Sequence, residues 1–173
     1  MILQKPKHFR KFDDLVKDPV VAYYMGIVDV PGTENRNKAI INVLLRLPEH
    51  DYQKLREKIK NFTWIIPSYD CYGDIIHLHL PELREQCIPG GIKDQYVRVI
   101  FLSPGLEEEN LTIAIAAVAY RLAYVVLGFG SRGDLEVDEI QRNAAWTKAM
   151  EWGFGRELKK YLKKKCIELP YPD

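Results

Sequence analysis

The stretch LTIAIAAVAYRLAYVVL, residues 111–127, decides how this chain is read. It is almost wholly apolar and approaches the length that crosses a bilayer. A span needs about 20 such residues, and a charge like that of Arg121 near the middle is costly in hydrocarbon. Ala114, Ala116, Ala117, Ala119 and Ala123 would let neighbouring helices approach closely inside a globule. With one such segment and no flanking basic cluster, the stretch reads as a buried core helix, not a membrane span. The acidic EEEN of residues 107–110 complements the positive end of that helix, placing it at about 107–127. Gly128 and Gly130 stop it.

The bulk numbers agree with a folded domain. At 173 residues the chain reads as a single domain, 1–173, long enough for a core. Charged residues make up 28% and the formal net charge is +1, so no global field recruits nucleic acid or an anionic membrane. Cys71, Cys87 and Cys166 lie far apart without a C-x-x-C pair, which favours free thiols in a reducing compartment. The opening MILQKPKHFRKF is basic and lacks the apolar core of a signal peptide. The expected location is the cytoplasm.

Around the apolar helix, VVAYYMGIVDV (20–30) and AIINVLLRL (39–47) are rich in β-branched and aromatic residues, with PGTENRNK between them. A hairpin or helices over 20–47 both fit. Residues 48–62 form an amphipathic helix: Pro48 suits its first turn, and Tyr52, Leu55, Ile59 and Phe62 share one face. TWIIPS (63–68), DIIHLHL (74–80) and YVRVIFL (96–102) read as strands. Ser103-Pro104 reads as a cap and a first-turn proline. A second helix covers about 136–152 and a basic one about 155–165. Strands followed by helices give an α+β expectation, with a small mixed or antiparallel sheet packed on the central helix and a second helix crossing it.

Within the central helix, Tyr120 and Tyr124 stand four residues apart and Arg121 follows the first. Zinc peptidases place His, Glu and His at such positions. Residues i and i+4 share a helix face, so two imidazoles bind one Zn²⁺ while the Glu activates water. The flanks extend the likeness. VRVIFLSPGLEEENLTIAIAAVAYRLAYVVLGFG (97–130) and DEIQRNAAWTKAMEWGFG (138–155) resemble the zincin-like, gluzincin or ImmA-type peptidases. The resemblance covers about 60 residues well and implies a strand, the motif helix, and a second helix that supplies a third ligand. It also implies a trailing His where this chain has Phe129. Glu139, Asn143 and Ala144 all lie in range of the third-ligand position, and of these only Glu139 could bind a metal.

Every departure leads away from zinc. A phenol titrates near pKa ~10 and is a poor ligand near neutrality, and the permanent charge of Arg121 repels a cation. The resemblance therefore implies a member without its catalytic set: no metal, no cofactor, and a peptide- or protein-binding, structural or regulatory role. Arg121 is expected to stand in for the cation, bridging to Glu139 first, or to Glu136 or Asp138. The former substrate cleft, beside an edge strand at 74–80 or 96–102, would receive an extended peptide.

Two other constellations compete. His77 and His79 fall on one face of a strand, the start of a metal site to which Asp70, Cys71 or Asp74 could add, as in a metal-dependent hydrolase. His8 and His50 read as surface residues. RELKKYLKKK (156–165) carries the dense basic patch Lys159, Lys160, Lys163, Lys164 and Lys165, a surface for nucleic-acid phosphates, though only Tyr161 could stack on a base. GFGSRG (128–133) follows a helix instead of opening one and so fails as a phosphate loop.

Overall fold

A computed structural model describes residues 9–19, 34–60, 63–67, 74–79, 96–102, 106–129 and 135–165. The backbone alone is described for Val16, Ile59, Lys60, the three strands, residues 135–138 and Lys165. Residues 20–33, His8, Phe62, Asp70, Cys71, Cys87, Ser103-Pro104, Gly130 and Cys166 lie outside the described set.

Six helices and three strands are described: α1 Phe12–Val16, α2 Glu34–Arg46, α3 Glu49–Lys60, β1 Thr63–Pro67, β2 Asp74–His79, β3 Tyr96–Leu102, α4 Leu111–Leu127, α5 Leu135–Glu151 and α6 Gly155–Lys165. In α2 the buried Ala39, Ile40, Val43 and Leu44 recur at three- and four-residue steps. That period buries one side of a helix and would scatter across both faces of a strand. Residues 34–46 are therefore helical despite their β-branched composition.

α4 is buried nearly all round: every residue from Ile113 to Ala119 is buried, then Leu122 to Val126. A helix apolar on all sides belongs in a core, and α2, α3, α5 and α6 all pack against it. No described helix is long and apolar enough to cross a membrane. The helix begins at Leu111 and not near 107, because Asn110 is its cap, its side chain accepting the Thr112 N–H at 2.9 Å. Glu107 instead caps another helix: its carboxylate accepts the N–H groups of Asn35 (2.8 Å) and Arg36 (3.0 Å) at the start of α2. At the other end, Gly128 closes α4 with φ 80°, the left-handed conformation that favours glycine.

The α+β class is thereby corrected. Over the described residues the protein is helical, and its core is helix on helix. Among the described residues, every member of the buried core lies on a helix or in a turn beside one: Leu15 on α1, Leu44 on α2, Leu55 on α3, Leu122 on α4, Ala149 on α5 and Leu158 on α6. The order of strands first and helices after them fails at α2 and α3. Among the described residues between 63 and 102 there are three short strands in the order β1-β3-β2, with β1 parallel and β2 antiparallel to β3. The central helix is covered chiefly by α2, α3, α5 and α6, with a smaller contact from β2.

Long polar side chains lock the helices together. Arg46 on α2 donates to Glu157 Oε1 at 2.8 Å and to the Gly153 carbonyl, with its guanidinium 3.7 Å over the Phe154 ring. Arg10 donates to the carbonyls of Leu44 (2.9 Å) and Leu47 (2.7 Å), which satisfies the C-terminal end of α2.

Candidate functional site

The Tyr120, Arg121 and Tyr124 positions meet on α4 as their spacing requires, because residues four apart on a helix are neighbours. The two hydroxyls hydrogen-bond to each other at 3.1 Å. Their rings meet edge to face, with centroids 5.2 Å apart. The row continues on both sides: Tyr120 lies 6.1 Å from Trp146 on α5, and Tyr124 lies 6.3 Å from Phe129. Trp146, which sequence reasoning missed, joins the two helices at this point. The Arg121 guanidinium lies 5.2 Å from the Tyr120 ring centre and 5.7 Å from that of Tyr124, within cation–π range of both.

Burial holds the Tyr124 phenol well above its ordinary pKa, and the neighbouring Tyr120 and the hydrogen bond to it push in the same direction. The nearby charges of Arg121 and Arg142 pull the other way and do not prevail. A phenol kept protonated in this way offers no anionic oxygen to a metal. The donor set at these positions is two phenols, that of Tyr124 held protonated, beside a guanidinium, and it does not fit zinc.

Across from α4, Glu139, Arg142, Asn143 and Trp146 recur along α5 at steps of three and four, on one face. Glu139 and Arg142 are exposed and Asn143 is half-buried. Among the ion pairs of the described residues there is none between Arg121 and Glu139. The side chains of Glu136 and Asp138 are outside the described set.

The other sequence candidates fall elsewhere. In the strand register His77 is opposite Arg98 and His79 opposite Tyr96. Among the described residues no group of three or more His, Cys, Asp or Glu is placed to hold a metal. Among the described strands β3 is the middle one, so 96–102 is not an edge, and β2 lies at an edge of those three. On α6 the residues Lys159, Lys160, Lys163 and Lys164 are exposed, while Leu158, Tyr161 and Leu162 turn into the core. Tyr161 is thus unavailable for stacking on a base, and Lys164 pairs with Glu109. His50 is exposed. Comparison of the chain with protein-family models, curated proteins and solved structures finds no match.

Proposed function

We propose that this chain is a non-catalytic, zincin-like protein of the cytoplasm, a pseudo-metallopeptidase that acts by binding a peptide or protein partner. The observation that carries the reading is the hydroxyl-to-hydroxyl bond between Tyr120 and Tyr124. It brings together the two side chains at which the family's motif would place imidazoles, in a form that cannot grip a cation. The contact of Tyr120 with Trp146 supports it further, since it puts the second helix opposite the motif helix. Among the described strands β2 lies at the sheet edge, the position at which an extended segment would add.

Elemental analysis of the purified protein, after zinc loading and dialysis, tests the metal half of the reading. The expected result is no stoichiometric zinc and no peptide hydrolysis. Retained zinc that Tyr120→Phe and Tyr124→Phe abolish would overturn it. Peptide arrays test the binding half: capture that Trp146→Ala weakens while the fold is kept supports it, and an array without a binder counts against it.

A further inference from the structure

The same cluster has the composition of an oxyanion site. On α4 the two tyrosine hydroxyls converge to 3.1 Å, and the Arg121 guanidinium lies over both rings. On α5, Arg142 precedes Trp146 by one turn on the same face, and Trp146 touches Tyr120. Arg142 therefore lies along the same seam between the helices, and its charge is felt at the Tyr124 phenol. Tyr120 and Arg121 are half-buried and Arg142 is exposed, so the cluster meets solvent on one side and the core on the other. Two guanidiniums beside phenol donors suit a carboxylate or a phosphate, through charge-assisted hydrogen bonds. Glu139, one turn before Arg142 on that face and exposed, is one described group placed to compete for the same cations.

We propose that Tyr120, Arg121, Tyr124 and Arg142 bind an oxyanion, carboxylate or phosphate, presented by the partner. The place where the motif would hold a cation thus takes an anion. This rests on the reading of the helix pair as a partner-binding site, and it names the group recognised there.

The test follows backbone amide and Trp146 indole shifts of isotope-labelled protein during titration with three probes: inorganic phosphate, acetate and a capped neutral peptide. Phosphate, acetate or both should shift residues 120–124 and 142–146 saturably. Arg121→Gln and Arg142→Gln should each weaken that binding about tenfold, Arg121→Lys should weaken it less, and Glu139→Gln should tighten it. Preference for phosphate over acetate would assign a phosphorylated partner, and comparable binding a carboxylate. Thermal unfolding of each variant shows whether it is folded. Shifts confined to the lysines of α6 would overturn the proposal, as would silence with both anions. If the neutral peptide alone shifts the cluster, the oxyanion inference fails while the partner-binding reading stands.

Discussion

Trp152 donates its indole N–H to Oδ2 of Asp51 at 2.8 Å, tying the turn after α5 to the first turn of α3. Lys148 reaches the same oxygen at 3.0 Å. The carboxylate is buried, and its two partners come from the far end of the chain. Burial raises the Asp51 pKa, but the hydrogen bonds from Trp152 and Lys148 and the lysine charge outweigh it, leaving the group below its ordinary value. A depressed folded-state pKa gives stability that is present above the unfolded value and lost as pH falls through the folded one. Asp51→Ala should cost about 3 kcal/mol at neutral pH, since it leaves the buried indole donor unpaired and takes from half-buried Lys148 one of its two carboxylates, Glu151 remaining. Urea unfolding of both proteins should show that gap narrowing below about pH 4, near the ordinary carboxylate value. A gap independent of pH would refute the assignment.

Arg46 joins α2 to α6 through one guanidinium that serves Glu157, the Gly153 carbonyl and the Phe154 face together. Arg46→Met keeps the stem and removes the charge, so half-buried Glu157 loses its partner. The expected loss is about 3 kcal/mol, or roughly 6–12 °C in melting temperature for a domain of this size. Arg46→Lys should restore only part of it, because an ammonium cannot serve two acceptors in the same fork and lie flat on a ring. Calorimetry of the two variants distinguishes them.

At the end of α4, Gly128 sits at φ 80° and an added Cβ would fall 2.8 Å from Lys58 Nζ. That ammonium donates to the Val126 carbonyl at 2.7 Å, satisfying the helix end from α3. Gly128→Ala is therefore expected to cost about 1–2 kcal/mol from the left-handed backbone and the displaced lysine. The lysine is flexible, so the larger share should be backbone. Combining it with Lys58→Met makes this measurable: the double variant should lose less than the sum of the singles, because both remove the same contact.

The central helix was legible because it needs nothing beyond its own composition: an apolar run, Tyr120 and Tyr124 at i and i+4, and Gly128 at the end. α2 was ambiguous because two local signals conflict. Its Ile and Val content favours a strand, while the spacing of Ala39, Ile40, Val43 and Leu44 is helical, and burial against α4 sides with the spacing. The acidic run at 107–110 was assigned to the nearest helix, yet Glu107 caps the start of α2, 71 and 72 residues away along the chain. Trp146 was missed for the same reason. Which α5 residue meets Tyr120 depends on how two helices cross, and no local pattern encodes that.

Alkaline pH isolates the tyrosine pair. The Tyr124 phenol is raised by burial first and then by Tyr120, so the folded state holds its proton more tightly than the unfolded chain does. Tyr52 is raised too, by burial and then by its hydrogen bond to Asp18 and that carboxylate's charge. For a raised group the stabilising contribution is complete below the unfolded pKa, near 10 for tyrosine, and disappears as pH climbs toward the folded value. The protein should consequently lose stability above about pH 10, with tyrosinate absorbance from these two residues appearing only on unfolding. Tyr124→Phe removes a hydroxyl bond worth about 1 kcal/mol at neutral pH, but it should flatten the alkaline decline, because phenylalanine has no proton to lose. The parent and the variant should then converge as pH rises. Parallel curves would mean that Tyr124 ionises freely in the folded protein. The phenol would then be open to a metal after all, and the argument against zinc at this site would fail with it.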